Sequence, residues 1–260
     1  MLTFQQLGKH GQLGNQLFQY ALLLAVSEKT GYPFGVPYQN KSTNNYQHFA
    51  MPDGFPNLTA IDSSNYTGTK HNYVECDDDC WRYCPDVFSV TDDTNFAGYF
   101  QTEKYFAPYR ERLLKEFAGL PIHRDRAHAL LTQLRRNGSV VFVHVRRGDA
   151  LNNTKLIQPT AAFYARAALH FPGANFVVLT DDKAWCRRYL YLPNFTFSPF
   201  TDKFDDLELM RAADGGIICS STFSWWGAWL GYTTRKIVGP IRWTVRHQCD
   251  DVLPANWIGE

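Results

Sequence analysis

The densest chemistry in the chain lies in residues 144–149, His-Val-Arg-Arg-Gly-Asp. Two adjacent arginines, Arg146 and Arg147, follow the apolar run Val140-Val141-Phe142-Val143. Such a run reads as a strand of a parallel sheet, buried on both faces. Guanidiniums at the end of a buried strand need an anion, and the rigid donor fork of arginine fits a phosphate bidentately. The plainer alternative is a surface ion pair with Asp149, but an exposed pair would add little stability. If the strand continues that far, alternation sets His144 and Arg146 on one side and Arg147 on the other; with Gly148 as a strand breaker, either arginine can turn inward.

Two more polar clusters end apolar segments: Thr180-Asp181-Asp182, and Ser220-Ser221-Thr222-Phe223-Ser224. In an open α/β sheet, ligands bind beyond the carboxyl ends of the strands. Cationic, carboxylate and hydroxyl groups on one edge suit a nucleotide. Arginine would meet phosphate, carboxylate the base or ribose, and hydroxyls with helix N-terminal amides the phosphate again. One of Asp181 and Asp182 equally suits a helix N-cap, as do the serines. Trp225, Trp226 and Trp229 have helical spacing and belong to a core. In the first half, Gly11-x-x-Gly14 is neither a P-loop nor a dinucleotide fingerprint. It does set Gly14, Asn15 and Gln16 at a strand-to-helix turn, as further donor-binding candidates.

The elements that must position these clusters alternate. Strands are predicted at 139–145, 175–179, 216–219 and 236–238, with helices at about 161–170, 182–189, 203–213 and 223–232. That pattern predicts a parallel sheet covered by helices on both faces. The first half opens with a strand at 2–7 and an apolar helix to Lys29, stopped by Gly31 and Pro33. Residues 37–93 read as a loop long enough to carry function, such as an acceptor-side surface. A helix is expected at 105–117 and a seam near Pro121–Arg124, giving domains 1–122 and 123–260.

The net charge of +1 offers no electrostatic case for nucleic acid or an anionic membrane. No run reaches the roughly 18–20 apolar residues of a spanning helix. The first ten residues lack signal-peptide character, so a soluble, cytoplasmic protein is expected. Six Asn-x-Ser/Thr sequons, at Asn40, Asn57, Asn65, Asn137, Asn152 and Asn194, keep a luminal domain as the alternative. Cys76, Cys80 and Cys84 flank Asp77-Asp78-Asp79 without the spacing of a zinc site. Plain thiols or one local disulfide are expected there, and Cys219 reads as a small buried hydrophobe.

Five blocks carry a family resemblance: Gly11-Gln-Leu-Gly-Asn-Gln-Leu-Phe-Gln-Tyr-Ala21, Ala97-Gly-Tyr-Phe-Gln-Thr-Glu-Lys-Tyr-Phe106, His144 to Asp149, Thr180 to Asp182, and Ser220 to Leu230. In this order they resemble glycosyltransferase family 11, the α-1,2-fucosyltransferase family, over nearly the whole chain. The resemblance implies an α/β GT-B fold, two Rossmann-like domains with parallel sheets facing a central cleft. It implies GDP-fucose as donor, held mainly by the C-terminal domain, and a galactose-containing glycan as acceptor. Transfer would be inverting, to the galactosyl 2-hydroxyl, with no metal or other cofactor. By the same resemblance Arg146 or Arg147 contacts the β-phosphate, and His144 with Asp181 or Asp182 contacts guanosine. Ser220, Ser221, Thr222 and Phe223 contact the diphosphate. Asp149 joins the arginines as a catalytic candidate. Glu103, His10 and the departing phosphate share with it the candidacy for the acceptor proton. The alternatives are another nucleotide-sugar or linkage, a metal-dependent GT-A transferase using Asp77 and Asp79, and a glycan- or nucleotide-binding module without activity.

Overall fold

The computed structural model describes residues 1–9, 11–39, 48–75, 82–245 and 251–260. The chain divides into two compact units, Met1–Ala118 with Asp250–Pro254, and Gly119–Cys249 with Ala255–Glu260. The contacts divide the chain a few residues before the expected seam, because Pro121 already opens a helix of the second unit.

The first unit holds strands β1 (Leu2–Thr3), β2 (Phe34–Val36), β3 (Ile61–Asp62), β4 (His71–Val74) and β5 (Thr94–Ala97). They form one sheet in the order β3-β2-β1-β5-β4, parallel throughout. Helix α1 (Leu13–Thr30) is buried almost all round from Leu13 to Val26, as its largely apolar sequence requires, and its buried Gln16 and Gln19 bond backbone carbonyls. It stops at Gly31, whose φ of +78° suits only a residue without Cβ strain and whose N–H bonds the Ser27 carbonyl at 2.8 Å. Short helices α2 (Met51–Gly54) and α3 (Arg110–Glu116) complete the unit.

Two sequence expectations change here. The stretch 37–93 contains β3 and β4, two short strands whose largely exposed side chains give no apolar alternation to read. The helix expected at 105–117 breaks into 3-10 turns at Glu103–Tyr105 and Ala107–Tyr109 before α3. Pro108 fits only the first turn of a helix, since it lacks an N–H.

The second unit runs α4 (Pro121–Leu134), β6 (Val140–Val145), α5 (Ala161–Ala168), β7 (Asn175–Thr180), α6 (Lys183–Tyr189), β8 (Phe195–Phe197), α7 (Lys203–Ala212), β9 (Gly215–Ile217), α8 (Thr222–Trp229), β10 (Ile237–Gly239) and β11 (Ile258–Gly259). Its sheet has the order β11-β10-β9-β6-β7-β8, again parallel throughout. The alternation read from the sequence is therefore present, and β6 is central with every residue buried. Val141, Val143, Val178 and Ile217 form its core with Phe163 and Tyr164, and Trp225 and Trp226 are fully buried. Buried Arg235 closes the helical layer. Its guanidinium donates to the carbonyls of Met210, Arg211 and Ala213 at the end of α7, and of Gly227 and Ala228 near the end of α8, at 2.6–3.1 Å. A cation there satisfies carbonyls that a helix end leaves open. Among the described residues, no helix is long and apolar enough to cross a membrane.

Candidate functional site

The register of the second sheet fixes which residues leave it together. Val145 is opposite Thr180 on β7, and Val143 is opposite Ile217 on β9. Residues 146–149, 180–182 and 218–224 thus emerge at one carboxyl-end edge.

Arg146 and Arg147 lie just beyond β6, which ends at Val145, and each takes a different carboxylate. Arg146 binds Asp149 bidentately, Nε to Oδ1 at 3.0 Å and Nη2 to Oδ2 at 2.6 Å. Arg147 gives Nε to Asp182 Oδ2 at 3.2 Å and lies over the Trp185 ring, 4.3 Å from its centroid, a cation–π contact that fixes the guanidinium plane. Their side chains remain 25% and 20% exposed. Each is held in place by one carboxylate and keeps further N–H donors for a ligand.

The two aspartates divide their work. Asp181 receives the backbone N–H groups of Arg147 and Gly148 at 2.8 and 3.0 Å, shaping the turn after β6. A Cβ on Gly148 would stand 2.9 Å from Asp181 Oδ2, so this approach favours glycine. Asp182 is the N-cap of α6, accepting the Trp185 N–H at 2.9 Å, while its other oxygen holds Arg147.

His144 is 9% exposed. Its Nδ1 lies 3.3 Å from the Cys219 sulfur, and its ring meets Phe223 edge-on at 5.8 Å. Burial, reinforced by the nearby Arg146 charge, lowers its pKa from 6.5 to about 3. The ring is therefore neutral near pH 7.

Ser221 occupies the N-cap position of α8, yet its hydroxyl makes no capping bond. The hydroxyls of Ser220 and Ser221 are buried without a hydrogen-bond partner among the described residues. A buried unpaired polar group costs about 1–3 kcal/mol, so two beside an uncapped helix start leave hydrogen-bonding capacity that a water or a ligand can take up. Thr222 and Phe223 begin the helix, with first-turn amides no side chain caps.

Gly14, Asn15 and Gln16 belong to the first unit, at the start of α1. Asn15 Oδ1 accepts from Gln101 at 2.9 Å. Gln16 donates to the His48 carbonyl at 2.7 Å and accepts the Ala50 N–H at 2.9 Å, so its amide secures a neighbouring loop. Glu103 lies in a 3-10 turn of the same unit. His10, Cys76, Asp77, Asp79, Cys80 and Cys249 fall outside the described residues. Cys186 and Cys219 are free thiols. Among the described residues no three His, Cys, Asp or Glu side chains gather as a metal site.

Sequence reading missed Trp185 under Arg147 and the partnership of Cys219 with His144. The first had a signal, since Trp185 sits one turn beyond its cap, Asp182. The second depends on the pairing of β6 with β9, which no local pattern encodes.

The sequence model of glycosyl transferase family 11 matches residues 5–260. An alpha-1,2-colitosyltransferase of Escherichia coli is 32% identical over 189 residues, 65% of this chain and 63% of that protein. Galactoside alpha-(1,2)-fucosyltransferase 2 of Gorilla gorilla gorilla is 27% identical over 237 residues, 85% of this chain and 67% of that protein. The chain thus matches about two thirds of the length of these relatives. Among solved structures, NodZ alpha-1,6-fucosyltransferase soaked with GDP-fucose superposes with a TM-score of 0.55 at 15% identity, covering 88% of this chain and 92% of that one. POFUT1 in complex with GDP gives 0.57 at 12% identity, covering 92% and 97%. At such identities the likeness concerns the fold, two parallel-sheet α/β domains.

Proposed function

The chain belongs to glycosyl transferase family 11, and from that membership we propose that it transfers fucose from GDP-fucose to the 2-hydroxyl of a galactosyl acceptor, with inversion and without a metal ion. The observation that carries this reading is the pair of unpartnered hydroxyls, Ser220 and Ser221, at the uncapped start of α8, on the edge where β6 ends in two arginines. That constellation suits a diphosphate.

As the sugar–phosphate bond breaks, negative charge grows on the β-phosphate. Arg146 and Arg147 supply the fixed positive charge that stabilises it. Asp149 and Asp182 hold the two guanidiniums in shape before the ligand arrives, so little reorganisation remains. The serine hydroxyls and the first amides of α8 take the remaining phosphate oxygens. Neutral His144 serves the guanosine, while Asp181 and Asp182 hold the turn and Arg147 beside it.

The linkage in the names of the E. coli and gorilla relatives supports α-1,2 transfer. The GDP and GDP-fucose of POFUT1 and NodZ support the nucleotide. The E. coli relative also favours a second reading, the same linkage with a colitosyl donor.

The test incubates the purified chain with GDP-fucose or a colitosyl donor and a panel of galactosides, with and without EDTA, and determines the product linkage by NMR. GDP release with an α-1,2 product in EDTA is expected. Turnover only with a colitosyl donor selects the second reading. Loss of activity in EDTA, or GDP binding without release, defeats the proposal.

A further inference from the structure

We propose that Cys219 is a positioning residue that fixes the tautomer of His144, making the ring a hydrogen-bond donor toward the nucleotide base. The inference rests on the GDP reading of the same site. Cys219 and His144 are 1% and 9% exposed, and Sγ lies 3.3 Å from Nδ1. Burial keeps both neutral, raising the thiol to about 11 and lowering the imidazole to about 3.

A neutral imidazole has one donor nitrogen and one acceptor nitrogen. Which is which depends on where the thiol proton points. The Ser224 hydroxyl, 4.0 Å from the sulfur, gives its own proton to the Ser221 carbonyl at 3.1 Å. Nδ1 is the nearest and most basic acceptor left for the thiol proton. If S–H donates to Nδ1, the single ring proton sits on Nε2, the nitrogen with no protein partner among the described residues.

The ring then presents one donor. Guanine shows two acceptors, N7 and O6, on the edge where adenine shows an acceptor and an amino donor. An Nε2–H matches guanine O6 and opposes the adenine amino group. The reverse tautomer would favour adenine. A buried thiol that never touches the ligand would thus bias the choice of base.

The experiment begins on the ligand-free protein. The infrared S–H band of Cys219, assigned by its loss in Cys219→Ala, should lie below the frequency of a free thiol. Nitrogen-15 NMR should place the His144 proton on Nε2 in wild type and in Cys219→Ser. An unshifted band, or a proton on Nδ1, overturns the proposal. Calorimetry then compares GDP with ADP. Cys219→Ala should lose about fivefold in GDP affinity, the worth of one neutral hydrogen bond, with a narrowed GDP/ADP ratio, while Cys219→Ser stays near wild type. An unchanged ratio in Cys219→Ala, with only the unfolding midpoint lowered, would reduce Cys219 to packing and overturn the proposal. A wild type with the Nε2–H tautomer that binds no GDP would defeat the nucleotide reading and leave the tautomer assignment standing.

Discussion

Residues 11–16, at the start of α1, and residues 144–149, at the end of β6, both carry polar side chains. They differ in what those side chains have left to offer. In the first, Gln16 is 1% exposed, its amide bonded to the backbone of His48 and Ala50, and Asn15 is bonded to Gln101. In the second, each arginine is matched by one carboxylate and keeps free N–H donors, and two nearby serine hydroxyls are unmatched. Residue type says which chemistry is possible. Unused hydrogen-bonding capacity in the folded state says where it can happen.

The contrast can be tested from its strongest side first. Arg146→Ala and Arg147→Ala should each lower kcat by about 10²–10³, the usual cost of losing a preorganised donor. Their thermal midpoints should scarcely move, because partly exposed ion pairs add little stability. Near-normal turnover in both would remove the catalytic charge from this edge.

Next, Gln16→Leu should cost about 1–3 kcal/mol in urea unfolding by leaving buried backbone groups unpaired, with GDP affinity unchanged. Weaker GDP binding at unchanged stability would return Gln16 to the donor site and erase the contrast. The double variant Ser220→Ala with Ser221→Ala should behave in the opposite way. Losing two unpaired hydroxyls should leave stability equal or slightly higher, while GDP affinity falls by about tenfold. Lower stability with intact GDP binding would make these hydroxyls structural.

The effect that is smallest near neutral pH is a pH slope. The His144 pKa is about 3 in the folded state, against its ordinary 6.5. Below pH 6.5 the unfolded chain takes a proton that the native ring refuses. Stability therefore falls as pH drops from 6.5 to about 3, by at most about 1.4 kcal/mol per pH unit. His144→Gln should flatten that slope in pH-dependent unfolding. Asp206 works against it. Burial raises its pKa from 3.8 to about 6, so its contribution is present in acid and lost as pH rises through that window.

Much of the second unit was legible in its sequence. The strand ending in His144-Val145 and the helix beginning at Lys203 lie where alternation and capping put them. Helix α4 was not legible. Only His123, Ala127 and Leu131 are buried along it, a stripe too narrow and too polar to stand out. Strands β2, β5 and β8, of three or four residues each, were not read from the sequence. For the site, residue types located the edge, but the roles depended on pairing. Nothing local says that Asp181 holds backbone amides while Asp182 caps a helix, or that a cysteine on one strand end meets a histidine on the next.

Asp251 carries a last consequence, for the order in which the molecule can be completed. Its carboxylate accepts the Tyr83 N–H at 2.7 Å and pairs with Lys104, within the first unit. The strands of that unit are all synthesised by Ala97, but this partner is translated after nearly all of the second unit. At roughly 5–20 residues per second, the N-terminal unit waits on the order of ten seconds or more for its final ion pair. The same tail then supplies β11 to the other sheet. Completion of both units converges on residues 251–259, and a ribosome stalled shortly before Asp251 would hold neither in finished form.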